Sequence, residues 1–309
     1  MTQHKPVLIR EVLRFLNPQK DQNFIDCTLG GGGHAEAILE LTGPSGKLLG
    51  IDWDSQAVKT AKQRLSRFKN RCTLINASYI EVKQIAYEKE FFPIHGVLLD
   101  LGLSSDQLQD SGRGFSFQVN EPLDMRYSTE ENELTAEQII NLWPEEKIKQ
   151  LLIENAEEQF AGRIARNIVA RRQKQKILTT LDLVGILVKC VPARKTRIHP
   201  ATKTFQALRM EVNHELANIK SVLQDIFEIA GPGTKIGVIS FHSLEDKIVK
   251  QFFKEKSKGC ICPIELPVCR CEHEAEIKVL TKKPIIPTLE EIAENFRSRS
   301  AKLRVAEKI

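Results

Sequence analysis

The sequence predicts an α/β fold: an open, mainly parallel sheet of the nucleotide-binding type, interrupted by a helical insert. Short apolar runs alternate with helical patterns between residues 23 and 100, as in strand–helix–strand units. Four consecutive glycines, at 30–33, separate the first apolar run from the first helical pattern. From residue 109 to about 197 the pattern is mostly helical, and a strand pattern returns at Lys235. This order favours two domains, one of them discontinuous.

Composition indicates an ordinary globular protein. Of 309 residues, 41% are hydrophobic and 28% are charged, enough to bury a large core beneath a charged surface. No apolar run reaches the roughly 18 residues of a membrane span, and the first residues lack a signal-peptide pattern, so we expect a cytoplasmic protein. The formal net charge of +5 permits a polyanionic partner without requiring one.

The first strand and the glycine cluster predict a ligand-binding loop. Residues 23–28 read as a buried strand that runs into the glycines, and a helical pattern follows over residues 35–41. Glycines allow positive φ angles and let a ligand lie against bare backbone, while the N-terminus of a helix attracts anionic groups. The loop therefore predicts close approach of a nucleotide-like ligand.

The second strand, residues 47–51, ends at Asp52, about 20 residues after the glycines. At that spacing an acid reaches the ribose hydroxyls of an adenosine ligand, and we predict this role for Asp52. The alternative is that Asp52 only caps a helix over residues 55–68. The four glycines also satisfy a dinucleotide template, so a NAD-dependent dehydrogenase stays open, although we find no acid–base pair for hydride transfer.

The third and fourth strands add polar groups to the same edge of the sheet. Residues 72–75 precede Tyr79, whose ring could flank an adenine or simply pack half-buried. Residues 96–100 end at Asp100, and Ser104 and Ser105 follow. Ligands of open α/β folds bind at the carboxyl ends of the strands, so we expect transfer chemistry at Asp100.

The insert carries the strongest local positive charge. Helical patterns cover residues 135–142, 144–153 and 157–175. Between residues 161 and 178 there are six basic residues and no acid, which suits contact with RNA phosphates but also an ordinary solvated helix face. The motifs RGFSF and PLDMR, which precede these helices, suit either an RNA base or hinge packing.

After the insert we expect one long helix over residues 204–230 and a fifth strand over residues 235–241. His242 follows that strand, so we expect it at the same edge as Asp100, either as a chemical group or as a helix cap.

Seven cysteines are present, and they fall into two groups. Cys27, Cys72 and Cys190 stand singly in apolar surroundings, whereas four others cluster near the C-terminal end, at Cys260, Cys262, Cys269 and Cys271. Their C-x-C spacing is unlike that of common zinc fingers. Metal binding by this cluster stays open, and we assign no metal to the reaction.

Nine motifs in this order carry a family resemblance: HKPVLIREVL, FIDCTLGGGGH, GIDWD, GVLLDLGLSSDQL, RGFSF, PLDMR, HPATKTFQALRMEVN, ISFHSLED and RSAKLRVAE. Together they resemble the bacterial 16S ribosomal RNA cytosine-N4 methyltransferase family, over nearly the whole chain. Two positions depart from the family pattern, His214 in place of an acid and Phe296 in place of a proline. Neither touches the proposed cofactor loop.

The resemblance implies a seven-stranded class I, Rossmann-like methyltransferase sheet with an inserted helical domain. Residues 1–108 and 200–309 would form the domain that binds S-adenosylmethionine, and residues 109–199 a helical domain for RNA recognition. The implied substrate is the N4 amine of a cytidine in the decoding region of 16S rRNA, within the small ribosomal subunit. We expect neither a membrane nor a DNA partner, and a homodimer stays open.

The site residues are carried over position by position from the matching motifs, except Tyr79, whose local sequence is less distinctive. The implied cofactor contacts are Gly32, Gly33, His34, Asp52, Tyr79, Asp100 and Gln107. Asp100 is also our candidate catalytic residue, because the poorly nucleophilic cytosine amine needs an acceptor for its N–H bonds. The alternative is that Asp100 contacts only the cofactor, and that backbone carbonyls or Ser104 and Ser105 orient the amine. The alternative from another class is a non-catalytic RNA-binding factor in ribosome assembly that keeps the pocket as a relic.

Overall fold

The computed structural model describes residues 6–101, 112–129, 132–192, 198–260, 262, 271 and 273–309. The chain divides into two compact units. The sheet unit comprises Met1–Gly102 and Ala217–Ile309, and the helical unit comprises Leu103–Leu216. No helix within the described ranges is both long and apolar enough to span a membrane.

The sheet unit holds the seven-stranded sheet, as expected. Its strands are β1 (Phe24–Asp26), β2 (Leu48–Asp52), β3 (Cys72–Asn76), β4 (Gly96–Asp100), β5 (Lys235–Ser240), β6 (Ile277–Val279) and β7 (Lys302–Lys308). Their order in the sheet is β3-β2-β1-β4-β5-β7-β6. The strands β1 to β5 are parallel to one another, while β7 runs antiparallel to both β5 and β6.

This strand order bears on the two cofactor alternatives. The first five strands follow the doubly wound order 3-2-1-4-5 of nucleotide-binding folds. A dinucleotide-binding sheet continues with strand 6 beside strand 5, whereas here the antiparallel β7 lies between them. The sheet thus has the seven strands that the resemblance implies, and its strand order does not favour the dehydrogenase alternative.

The central strand β1 is buried on both faces. Phe24 belongs to one hydrophobic cluster and Ile25 to the cluster on the opposite face, as expected for a parallel sheet covered by helices on both sides. Gly96 pairs directly with Phe24. A Cβ at residue 96 would lie 2.3 Å from the Phe24 ring, so the close packing of β1 against β4 requires glycine there.

One helix of the sheet unit precedes the first strand, and the others lie between consecutive strands. They are α1 (Ile9–Leu16), α2 (Gly33–Leu41), α3 (Ser55–Arg64), α4 (Val82–Glu88), most of α10 (Glu215–Ile229), α11 (Ser243–Lys256) and α12 (Leu289–Glu294). The predicted helix over residues 55–68 ends earlier than expected, since α3 stops at Arg64 and a 3-10 turn, Ser66–Phe68, follows it.

The helical unit has its own core. Its helices are α5 (Ala136–Leu142), α6 (Glu145–Ala156), α7 (Ala161–Arg172), α8 (Thr180–Cys190) and α9 (Ala201–Val212), and α10 (Glu215–Ile229) begins within it. Capping boxes at Thr135 and Thr179 start α5 and α8. Because α9 packs against α6, the unit extends beyond residue 199, where the sequence placed the end of the insert.

The prediction of one long helix after the insert is wrong. Residues 204–230 form two helices, α9 and α10, separated at Asn213 and His214. The backbone of His214 is left-handed, with φ 51°, which ends the helical hydrogen-bond ladder. The side chain of Asn213 donates to the Met125 carbonyl oxygen at 2.8 Å and accepts from the Tyr127 N–H at 2.8 Å, so the break serves packing within the helical unit.

Candidate functional site

Three aspartates lie at the carboxyl ends of three adjacent parallel strands. Asp26 ends β1, Asp52 ends β2 and Asp100 ends β4. Since β1 pairs with β2 on one side and with β4 on the other, residues far apart in the chain reach one edge of the sheet. We call this group the carboxylate edge.

The glycine loop has the backbone that only glycine adopts easily. Gly30 and Gly32 have φ angles of 50° and 77°. Gly32 directly precedes α2, and a Cβ on it would lie 3.3 Å from the Cβ of Ala61. The Gly30 N–H donates to Oδ2 of Asp52 at 2.7 Å. The loop is therefore held against the end of β2, and α2 begins immediately beyond it.

Asp52 fixes the loop rather than capping the next helix. Its Oδ1 accepts from the Asp54 N–H at 2.8 Å, while its Oδ2 takes the Gly30 bond. The cap of α3 is Asp54, whose side chain accepts from the Gln56 N–H at 2.8 Å. Burial raises the pKa of the Asp52 carboxyl, and the N–H groups of Asp54 and Gly30 oppose that rise. Each carboxylate oxygen retains lone pairs for further donors such as hydroxyls.

Asp100 is tied to the other flank of the loop. Its N–H donates to Oγ1 of Thr28 at 2.6 Å. Its Oδ2 lies 3.8 Å from Nε2 of His34, which stands in the first turn of α2. The side chains of His34 and Asp100 are only 8% and 16% exposed, so the imidazole and the carboxylate face each other in a largely desolvated place.

Asp26 is the site residue that sequence reasoning missed. It is 1% exposed, its Oδ1 accepts from the Thr28 N–H at 3.2 Å, and its Oδ2 has no hydrogen-bond partner within the described residues. Burial raises its pKa to about 7, the negative charges of Asp100 and Asp52 add to the rise, and the Thr28 N–H opposes it. The available signal was a lone acid inside the apolar run Phe-Ile-Asp-Cys.

Tyr79 lies beyond the end of β3, in the 3-10 turn Tyr79–Glu81. Its ring is half-buried and packs against one of the two clusters of the sheet unit. Asn76, at the end of β3, donates from Nδ2 to the carbonyl oxygens of Asp52 and Trp53 at 2.9 and 2.8 Å. These bonds join the ends of β2 and β3, which brings Tyr79 to the Asp52 side of the edge.

The remaining predicted residues divide into two cases. Gln107, Ser104 and Ser105 lie outside the described residues. His242 caps α11, with Nδ1 accepting from the Glu245 N–H at 3.4 Å and Nε2 lying 2.9 Å from Oε1 of Glu245. The cap interpretation of His242 is therefore the one that its contacts support.

In the helical unit, the six basic residues between positions 161 and 178 have different roles. Arg172 donates to the carbonyl oxygens of Ile140 and Trp143, both at 2.7 Å, and so completes the C-terminal end of α5. Arg171 bonds Gln175 at 2.9 Å. The exposed members of the run are Arg163, Arg166, Lys174 and Lys176. These four make a positive face on and after α7.

The motifs RGFSF and PLDMR are used mainly for internal packing. Arg113 donates to the carbonyl oxygens of Arg126 and Tyr127, both at 2.9 Å. Phe115 is buried and stacks on Tyr127 with centroids 5.5 Å apart. Arg126 forms two bonds with the Asp124 carboxylate, at 2.8 and 2.7 Å. Of the two alternatives for these motifs, their contacts support packing.

The chain is similar over its whole length to proteins named ribosomal RNA small subunit methyltransferase H. One from Dehalococcoides mccartyi is 46% identical over 306 residues, 99% of this chain and 86% of that protein. Those from Thermomicrobium roseum and Brevibacillus brevis are 45% and 44% identical over 308 residues, which are 100% and 99% of this chain and 94% and 98% of theirs. A sequence profile of the MraW methylase family matches residues 1–309. This chain therefore belongs to the MraW methylase family.

Proposed function

We propose that this protein transfers a methyl group from S-adenosylmethionine to the N4 amine of a cytidine in the decoding region of 16S rRNA, in the small ribosomal subunit. The observation that carries the proposal is the carboxylate edge around a glycine loop, in a chain of a methylase family. The relatives' name supplies the substrate class, small-subunit rRNA. The family resemblance supplies the atom and the region. A ribosomal substrate implies work in the cytoplasm.

The residues present fit this cofactor by charge and by shape. S-adenosylmethionine carries a sulfonium and an ammonium against a single carboxylate, so it is a net cation. Three acids that meet at one edge repel one another and favour a cationic ligand, and Oδ2 of Asp26 is an acceptor without a described partner. The loop at Gly30–Gly33 bears no side chains, so a ligand can approach its backbone.

We assign the binding roles accordingly. Asp52 accepts from the ribose hydroxyls with the lone pairs that its two backbone bonds leave available. Tyr79 flanks the adenine from the β3 side, and Asp26 offsets positive charge at the centre of the edge. The further contacts that the resemblance implies are Gly32, Gly33, His34 and Gln107.

The cofactor, when bound, would supply an electrophilic methyl group on a sulfonium, whose S–C bond breaks as the methyl is transferred and whose sulfur leaves as a neutral thioether. The cytosine amine is a weak nucleophile because its lone pair is delocalised into the ring. Asp100 accepts an N–H of the amine, which holds the nitrogen in place and receives the proton that the nitrogen loses as its new bond to carbon forms. Such positioning and proton acceptance inside a desolvated site lower the barrier without any covalent intermediate on the protein.

The positive face of the helical unit supports RNA binding by that unit. Arg163, Arg166, Lys174 and Lys176 are exposed, and the run in which they lie contains no acid. Exposed basic side chains of this kind bind RNA phosphates and contribute affinity without sequence specificity. We therefore assign RNA positioning to the helical unit and methyl transfer to the sheet unit.

The proposed reaction is tested directly by nucleoside mass spectrometry. Small subunits from cells that lack this protein are incubated with the purified protein and S-adenosylmethionine. We expect N4-methylcytidine to appear in the treated subunits only. If competent subunits gain no methylated nucleoside, a non-catalytic assembly factor becomes the better interpretation. A different methylated nucleoside would correct the assigned atom.

Substitution of Asp100 tests its role as acceptor. We expect Asp100→Asn to bind the cofactor but to lower turnover at least about 100-fold, since the amide cannot take the proton. Asp54→Asn is the matched control, because it removes a charge near the carboxylate edge while asparagine still caps α3. Normal turnover of Asp100→Asn in single-turnover assays would eliminate the acceptor role.

The raised pKa of Asp26 predicts a pH dependence of cofactor binding. A bound cation favours the ionised carboxylate, so binding releases the proton that the free protein holds below its pKa of about 7. Affinity should therefore rise between about pH 6 and about pH 8, by up to roughly tenfold. Calorimetry on wild type and Asp26→Asn separates this effect from titration of the ligand's own amine. Identical pH profiles for the two proteins would contradict the assignment.

Salt dependence tests the positive face. The double variant Arg163→Gln with Arg166→Gln should bind a 16S RNA fragment more weakly, with a slope of log affinity against log salt that is smaller by roughly one to two. Lys59→Gln with Lys62→Gln removes the same charge from exposed positions of α3 and should leave the slope unchanged. Equal effects of both pairs would indicate general electrostatics instead of a defined face.

A further inference from the structure

Three cysteine sulfurs converge in the loop that follows α11. The sulfurs of Cys260, Cys262 and Cys271 all lie within 4.8 Å of one another. The Sγ atoms of Cys260 and Cys271, which come from opposite ends of the loop, are 3.7 Å apart. No disulfide joins these three described cysteines to one another. Cys269 lies outside the described residues, so we base the site on these three sulfurs alone.

The separation of the sulfurs matches a shared metal ion. Two sulfurs of a disulfide are about 2.05 Å apart, far closer than 3.7 Å. Zinc binds thiolates at about 2.3 Å in tetrahedral geometry, which places two ligand sulfurs about 3.8 Å from each other. In the absence of an ion the Cys271 thiol donates a hydrogen bond to Sγ of Cys260 across this distance, which is also the distance between two ligands on one tetrahedral ion.

Core packing does not explain the convergence. Free cysteine behaves as a small apolar residue and is usually buried, as Cys27 and Cys190 are here at 1% and 2% exposure. Cys260 is exposed, and Cys262 and Cys271 are half-exposed. Three thiols gathered near solvent gain little from burial, whereas a metal ion can reach them there.

The base of the loop is closed by other bonds. Lys256, the last residue of α11, binds the Glu276 carboxylate through Nζ at 2.9 Å, and its carbonyl oxygen accepts from the Glu276 N–H at 2.9 Å. Glu276 directly precedes β6, which pairs with β7 and stands at one end of the sheet order. The two ends of the loop therefore meet at Lys256 and Glu276. Cys260 and Cys271 lie a few residues from these ends, which reduces the entropy cost of bringing the two thiols together.

We propose that Cys260, Cys262 and Cys271 bind one Zn²⁺ as thiolates, in a structural site that joins the chain after α11 to the chain before β6. The ion neutralises thiolates that would otherwise repel one another, and its binding free energy contributes to the stability of the folded protein. The site takes no part in methyl transfer, so its test is independent of the proposed function.

The test measures metal binding by the full-length protein under reducing conditions. Mass spectrometry of the purified protein should find one zinc per chain. Replacement of the zinc by Co²⁺ should give thiolate-to-cobalt charge-transfer absorption and the visible bands of a tetrahedral site. Cys260→Ser with Cys271→Ser should lose these bands and weaken zinc binding by at least about 100-fold in a chelator competition. Cys72→Ser, a change at a single half-buried cysteine in β3, is the matched control and should keep both.

Several outcomes would overturn the proposal. Reduced wild-type protein that takes up neither zinc nor cobalt excludes the site whether or not the serine variant folds. The absorption of an iron–sulfur cluster in the purified protein would replace zinc by another centre. Equal loss of zinc in the Cys72→Ser control would show that the cysteines of the loop do not hold the ion. Cofactor affinity, measured on the same samples, should be unchanged by Cys260→Ser with Cys271→Ser.

Discussion

The parallel pairing of β1 with β2 on one side and β4 on the other is the constraint on which the site depends. It carries Asp26, Asp52 and Asp100 to one edge, and two bonds then fix the glycine loop to both flanks, Gly30 to Asp52 and Asp100 to Thr28. In this arrangement the ionised form of Asp26 is unfavourable, because desolvation and repulsion by the neighbouring carboxylates raise its pKa to about 7. A cationic ligand offsets that repulsion. The site thus holds an electrostatic preference before any ligand arrives.

The arginines of the helical unit have two different roles. Arg113, Arg126 and Arg172 donate to carbonyl or carboxylate oxygens of their own unit, so they hold loops and complete a helix end. Arg163 and Arg166 project from α7 as exposed residues. A count of basic residues therefore overstates the positive surface. The division matters for function because only exposed cations release counterions from an RNA backbone.

In this protein, a carboxylate and several thiols lie in places where such side chains are uncommon, and we interpret both as signs of function. A carboxylate buried at the end of a central strand and thiols gathered near solvent both run against the usual distribution of these side chains. For each we have proposed a ligand of opposite charge, a cationic cofactor at the carboxylate edge and a thiophilic metal ion at the cysteines. The two ligands differ in kind because carboxylate oxygens suit ammonium and hydroxyl groups, whereas thiolates suit zinc.

The sequence by itself determined the first five strands, the glycine loop and the positions of Asp52 and Asp100, because apolar periodicity and glycine spacing are local properties. It did not reveal β6, β7 or the break at His214, since short edge strands and one left-handed residue leave little local pattern. Only the tertiary structure decided that Asp26 joins Asp52 and Asp100 at one edge, that Asp52 binds Gly30 instead of capping α3, and that Cys260 meets Cys271. Each of these contacts joins residues that the chain holds apart, so strand pairing or loop closure must bring them together.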